Sequence, residues 1–136
     1  MSVDRAQRLF LLVFGVGLVP VALSYGALPE QSLTRLYGLV EPDLTTRQLF
    51  RAIMGLYLAM IGFWLAGALR PALQMPALWS AFVFVTGIAL GRGLSIGIDG
   101  WPPPLLVFYL ITEIVLAATS LSLIIRAPQR ATGGRE

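Results

Sequence analysis

The chain is built from long apolar stretches separated by short polar connections. Four of these stretches are close to the roughly 20 residues that a helix needs to cross a hydrocarbon core about 30 Å thick. They cover residues 9–27, 48–69, 76–97 and 103–125. Because most connections are short, the pattern predicts a single domain over residues 1–136. We expect an all-α integral membrane protein whose four transmembrane helices form an antiparallel bundle.

The connection over residues 28–47 is longer and has a helical pattern of its own. Its apolar residues recur at the spacing of one helix face, i, i+3, i+4 and i+7: Leu33, Leu36, Tyr37 and Val40. This predicts a short helix at the membrane interface that serves as an anchor or as a lid, and Gly38 is a natural end for it. Thr45 and Gln48 have capping-box spacing, which predicts that the second membrane helix begins there.

Composition supports a membrane location and excludes several kinds of chemistry. Hydrophobic residues make up 57% of the chain and charged residues only 12%, far from the balance of a soluble domain. There is no Cys and no His. A thiol nucleophile, an imidazole base and the usual zinc or copper sites are therefore excluded within one chain. We expect no metal and no cofactor.

The charges also predict how the chain is oriented. The formal charge of +3 is carried wholly by arginines that flank or enter the apolar stretches, so we expect contacts with membrane lipids and none with nucleic acid. Most of them fall on one side of the predicted membrane: Arg5, Arg8, Arg70, Arg126, Arg130 and Arg135. The positive-inside rule then predicts cytoplasmic N- and C-termini, with residues 126–136 forming a mobile cytoplasmic tail.

Several charged residues lie inside the apolar stretches, toward the predicted outer half of the bundle. Glu113 is near the middle of an otherwise uncharged stretch over residues 101–125. A charge there costs roughly 2.5 to 3.5 kcal/mol, so such residues usually face a protein interior. Side chains lean toward the N-terminus of their own helix, so Arg92 and Glu113 should converge across two antiparallel helices. The same reasoning pairs Arg51 with Asp99 at the outer rim.

Polar neighbours extend this group of charges. Ser95 shares a helix face with Arg92 and Asp99, and Tyr109 precedes Glu113 by one turn. The predicted ligand-binding or proton-handling residues are Arg51, Arg92, Glu113, Asp99, Ser95 and Tyr109, and no residue is predicted to be catalytic. Two interpretations remain open, because buried ion pairs can hold helices together or mark a functional site.

The third predicted helix is rich in glycine. Gly87 with Gly91, and Gly93 with Gly97, form two small-xxx-small pairs, a spacing that lets helix backbones approach each other closely. We expect these glycines to pack against other helices of the same bundle and to make room for a ligand. A dimerisation face is the alternative.

These motifs together resemble a known family. They are Leu36-Tyr37-Gly38, Phe50-Arg51-Ala52, Gly55-Leu56-Tyr57, Gly91-Arg92, Ser95, Asp99-Gly100 and Glu113. The chain resembles the small bacterial membrane proteins grouped as domain of unknown function 4345, and the likeness covers residues 33–123. The resemblance implies a four-helix protein of the bacterial inner membrane, similar in general build to DoxX-like proteins. It implies no activity and no substrate.

The leading functional hypothesis is a non-enzymatic protein that holds a lipid or a small anionic or lipophilic ligand in an outward-facing pocket. Arg51 and Arg92 would bind the polar end of the ligand, and Glu113 would balance the charge. One alternative is an accessory subunit of a larger membrane complex. Another is a small proton-coupled transporter that uses Glu113 and forms a homodimer. Enzyme activity has the least support, because the chain contains no nucleophile motif.

Overall fold

The computed structural model describes residues 2–127, and this part of the chain is helical without any strand. The helices are α1 (Val3–Gly26), α2 (Pro29–Tyr37), α3 (Leu44–Leu69), α4 (Pro71–Asp99) and α5 (Pro104–Ile125). By length and composition, α1, α3, α4 and α5 can each cross a membrane. The predicted fold class of a multi-pass, all-α membrane protein with one short additional helix is confirmed. The predicted tail lies almost entirely outside the described residues.

The long helices extend beyond the apolar stretches that predicted them. Polar residues of the first turns, such as Arg5 and Arg8, belong to α1, and Pro71 occupies the first position of α4. Proline fits there because its missing N–H would have no partner in the first turn. Hydrophobicity therefore located each helix but not its ends.

The start of α3 corrects the predicted capping box. The N-cap is Asp43, whose backbone is extended and whose carboxylate accepts a hydrogen bond from the Thr46 backbone N–H at 2.8 Å. Thr45 is already helical, so its side chain cannot cap. The prediction was wrong because Asp43, two residues earlier, supplies the acceptor.

The short helix α2 ends as expected at Gly38, which adopts a left-handed backbone with a φ of 70°. The Leu39 N–H reaches back to the Leu33 carbonyl oxygen at 3.2 Å, as in a Schellman turn. Leu33 is fully buried, whereas Val40 lies beyond the helix and is exposed. The predicted apolar face is therefore one turn shorter than the sequence pattern suggested.

The four long helices pack in the order α1, α3, α4, α5, and α1 and α5 touch each other little. Trp64 of α3 is fully buried at the centre of the core, where its indole N–H donates to Ser80 Oγ of α4 at 3.0 Å. The centre of the Phe14 ring of α1 lies 4.5 Å from the centre of the Trp64 ring. The core is thus densest where α1, α3 and α4 meet.

The glycines that allow close packing are not those predicted. A Cβ on Gly26 of α1 would lie 2.9 Å from Arg51 Cα, and a Cβ on Gly67 of α3 would collide with the Ala77 side chain. The glycines of α4 instead lie on exposed positions with open space around them: Gly87, Gly91, Gly93 and Gly97. Their predicted role in packing within the bundle was wrong, because α4 turns that face away from its neighbours.

Two buried glutamines join three helices at the end of the bundle that carries the start of α1. The Gln74 amide of α4 donates to Gln7 Oε1 at 2.7 Å and to the Asp4 carbonyl oxygen at 3.2 Å. The Gln7 amide in turn donates to the Leu123 carbonyl oxygen of α5 at 3.0 Å. These bonds hold α1 and α5 together at this end, although the same helices separate toward the other end, where α2 lies.

Candidate functional site

A cavity of about 300 Å³ occupies the space between α1 and α5. Its floor is formed by α3 and α4, through residues such as Tyr57 and Phe84. Val13 and Gly17 of α1 and Phe108 of α5 line the cavity and are also exposed on the surface of the bundle. The cavity therefore opens sideways, through the gap between α1 and α5, toward the space that lipid would occupy.

The predicted ion pair between Arg92 and Glu113 is present and forms part of the cavity wall. Arg92 Nε donates to Glu113 Oε1 at 3.0 Å and to Oε2 at 3.1 Å. The two side chains are only 19% and 12% exposed. The pair forms because α4 and α5 run antiparallel, so that each side chain leans toward the other along its helix.

All four tyrosines of the chain gather around this ion pair. Tyr25, Tyr57 and Tyr109 line the cavity, and the Tyr37 ring of α2 stacks on the Tyr25 ring at 5.6 Å. The Arg92 guanidinium lies over the Tyr109 ring, 5.6 Å from its centre, and close to the Tyr25 hydroxyl. Three neutral hydroxyls and one ion pair thus form the polar end of an otherwise apolar cavity.

The helix α2 lies beside this polar end, where its Tyr37 ring stacks on Tyr25. Tyr37 OH and Ser24 Oγ are hydrogen-bonded at 2.9 Å, which ties α2 to α1. An ion pair between Glu30 and Arg47 ties the other end of α2 to α3. The helix α2 packs against α1 and α3 at this end of the bundle. This position is compatible with both predicted roles, an anchor and a lid.

Three predicted site residues lie outside the cavity. Asp99 and Ser95 share a face, as predicted, and Ser95 Oγ donates to Asp99 Oδ2 at 2.8 Å, but both are exposed. Arg51 is also exposed and lies beside Gly26, next to a small surface recess that includes Glu30. Within residues 2–127 the predicted pairing of Arg51 with Asp99 does not form.

The failed pairing has a simple geometric cause. Arg51 belongs to the face of α3 that packs on α1, since its Cα approaches Gly26. Asp99, at the end of α4, lies on a face that turns to the outside. Equal depth along the bundle was therefore not sufficient, because the rotation of each helix about its axis also decides which side chains meet.

The cavity residues that sequence reasoning missed are mainly aromatic. Tyr57 is buried and forms part of the cavity floor together with Phe84. Tyr25 and Gly17 of α1 were not singled out. A partial signal exists for Tyr25, which lies near the end of its apolar stretch at the depth of the ion pair. No sequence signal marks Gly17, because it contributes only open space.

The arrangement suits binding better than catalysis. In the described chain, the hydrogen bonds of Arg92 to protein side chains use Nε alone. Its terminal nitrogens Nη1 and Nη2 carry more N–H donors than the neighbouring Tyr25 hydroxyl can accept, so donors remain for an oxygen that enters the cavity. The rest of the lining is apolar, through residues such as Val13, Phe14 and Leu116. Such a site can hold a molecule that has one polar group and an apolar body.

Comparison with known proteins shows the family of the chain. Residues 6–124 match the family described as "Domain of unknown function (DUF4345)", so the chain belongs to that family. The match includes α2 to α4 completely and nearly all of α1 and α5. This confirms the resemblance predicted from the motifs. No curated protein and no solved structure matches the chain.

Proposed function

We propose that this member of the family holds a lipid or another small amphiphile in the cavity between α1 and α5. The polar group of the ligand lies against Arg92 and the tyrosine hydroxyls, and its apolar part follows the cleft past Phe14 and Leu116. The role is non-enzymatic. Arg92, Glu113 and Tyr109 remain candidate site residues, whereas Arg51, Asp99 and Ser95 are not among the residues that line the cavity.

The observation that carries the proposal is the single polar end of an apolar cavity. Ligand pockets commonly measure about 300 to 1,000 Å³ and combine an apolar lining with a few convergent polar groups. A volume of about 300 Å³ is enough for one small molecule or for part of a lipid chain. The sideways opening gives a lipophilic ligand a path from the bilayer that avoids water.

The distribution of arginines supports a location in the bacterial inner membrane with both termini in the cytoplasm. Arg5, Arg8, Arg70 and Arg126 lie at the end of the bundle opposite α2. In this orientation α2 and the polar end of the cavity lie in the outer half of the membrane. The apolar end of the cavity then lies toward the bilayer centre, as it would for a ligand aligned with the surrounding lipids.

The proposal is tested by filling the cavity. Gly17 lines it, and a Cβ at this position meets nothing within 4 Å, so Gly17→Leu adds a side chain that begins in open space at the cavity wall. Gly62→Leu is the matched control, because Gly62 is a helical glycine with open space around it that does not line the cavity.

Native mass spectrometry of the full chain released from lipid nanodiscs is the measurement. We expect the wild type and Gly62→Leu to retain one molecule of lipid or another amphiphile, and Gly17→Leu to lose it. Equal retention by all three proteins, or no bound molecule in any of them, would contradict the proposed function.

The two alternatives receive less support. A proton-coupled transporter needs a carboxyl group that exchanges protons, but both Glu113 oxygens accept hydrogen bonds from Arg92. Substrate flux through proteoliposomes that is lost in Glu113→Gln would favour that alternative. An accessory subunit would be favoured by a stable partner that survives purification in mild detergent.

A further inference from the structure

The charge balance of the cavity restricts the chemistry of its ligand. Among the lining residues of the described chain, Arg92 and Glu113 are the only charged ones, and they form an ion pair. The remaining polar groups of the lining are neutral hydroxyls, those of Thr112 and three tyrosines. The cavity therefore offers a net charge of zero to a ligand.

The two charges of the ion pair lie side by side, so a ligand group that reaches Arg92 also meets the negative charge of Glu113. Both carboxylate oxygens lie within 3.1 Å of Arg92 Nε. An anionic group that bound the terminal nitrogens of the same guanidinium would lie close to the Glu113 carboxylate. The two like charges would repel each other strongly, because an apolar surrounding screens them poorly. An uncharged oxygen can accept the same hydrogen bonds without this repulsion.

We infer that the cavity selects an uncharged amphiphile whose polar group is a hydrogen-bond acceptor, such as an ester, ketone or amide, over an anionic amphiphile. This inference rests on the proposed function and narrows the ligand class within it. Nη1 and Nη2 of Arg92 donate to the acceptor oxygen, and the Tyr25 hydroxyl lies close enough to the guanidinium to take part. Glu113 acts as a specificity determinant, because it cancels the charge that would otherwise attract anions.

Two ligands of equal chain length test the inference, decanesulfonate and methyl decanoate. The sulfonate stays charged inside a membrane, whereas the ester has an uncharged acceptor. Radiolabelled forms are bound to the full chain in nanodiscs, and the signal from Gly17→Leu nanodiscs is subtracted to remove simple partition into lipid. We expect the wild type to bind the ester at least about tenfold more tightly than the sulfonate.

Replacing Glu113 by Gln should change this preference. The variant keeps the size of the side chain and one oxygen that can accept from Arg92 Nε, but it leaves the Arg92 charge uncompensated. We expect the affinity for decanesulfonate to rise about tenfold relative to that for methyl decanoate. If the variant does not fold, the comparison of the two ligands on the wild type still tests the inferred ligand class.

The outcomes separate this inference from the proposed function. If the wild type prefers decanesulfonate, or if a folded Glu113→Gln variant leaves the preference unchanged, the inferred ligand class is overturned while cavity binding stands. If neither ligand binds in a way that Gly17→Leu abolishes, cavity binding fails and the ligand class falls with it.

Discussion

The Arg92 guanidinium of α4 bonds through one nitrogen, Nε, to both carboxylate oxygens of Glu113 on α5, at 3.0 and 3.1 Å. Both side chains are mostly buried, and both line a cavity that opens between α1 and α5. The pair is thus a contact between two helices and at the same time the polar end of a binding site. Stability and binding experiments can separate these two roles.

Breaking the ion pair from one side should destabilise the bundle. Glu113→Leu leaves Arg92 as an uncompensated charge, and we expect a loss of roughly 3–5 kcal/mol in the free energy of unfolding. The double variant Arg92→Met with Glu113→Leu should recover most of this loss, because no charge remains to be paired. Unfolding followed by circular dichroism in detergent measures both. A double variant as unstable as the single one would contradict this explanation.

Gly67 should tolerate no added methyl group. A Cβ there would collide with the Ala77 side chain where α3 turns into α4, and the Leu73 carbonyl oxygen lies 3.2 Å away. We expect Gly67→Ala to lower the free energy of unfolding by about 1–3 kcal/mol, as overpacking does. Thermal unfolding measures this change. Gly62→Ala is the control, since it gains helix propensity and meets no neighbour. Equal effects of the two substitutions would show that α3 and α4 are not packed as described.

The N-cap of α3 should make the local stability of this helix depend on pH. The hydrogen bond from Thr46 lowers the pKa of the Asp43 carboxyl below its ordinary value. A lowered folded-state pKa means that the stabilisation is present above the pKa of the unfolded chain and is lost as the pH falls through the folded pKa. The protection of amides in the first turn of α3 against hydrogen exchange, taken relative to the intrinsic exchange rate at each pH, should therefore fall at acid pH.

The variant Asp43→Asn is the control for this effect. Asparagine also caps helices but does not titrate in this range, so the pH dependence of the protection should disappear while the cap remains. An unchanged pH dependence in the variant would assign the effect to another acid.

The glutamine contacts at the opposite end of the bundle should contribute to stability through their burial. Gln74→Leu removes the donor to Gln7 Oε1 and to the Asp4 carbonyl oxygen, so the acceptor of the buried Gln7 loses its partner. We expect a cost of about 1–3 kcal/mol in the free energy of unfolding. Gln48→Leu makes the same change at an exposed position of α3 and should have little effect. Equal costs would contradict the role assigned to burial.

The ion pair shows what can be predicted from the depth of a residue along the bundle and from the direction of its helix. The placement of Arg92 and Glu113 required only the antiparallel order of two consecutive helices and the lean of their side chains. Helices joined by a short connection must lie side by side, but the connection does not fix the rotation of either helix about its axis, and for α4 and α5 the rotation brings these two side chains together. Arg51 and Asp99 belong to α3 and α4, which are also consecutive, yet Arg51 lies against α1 and Asp99 is exposed on the outside of the bundle. Their predicted pairing does not form because depth along the bundle does not determine the rotation of a helix about its axis.

The sequence by itself determined the number of long apolar helices, the short helix before α3 and the Arg92–Glu113 pair. These features depend on helix length, on the positions of glycine and proline, and on the direction of consecutive helices, all of which nearby residues decide. Only the tertiary structure decided the cavity. Its existence depends on the separation of α1 from α5, which are far apart in the chain and are joined at one end by Gln7 and Leu123. It also decided that Tyr25, Tyr57 and Gly17 line the site. Such packing between distant helices leaves no periodic signal in the sequence.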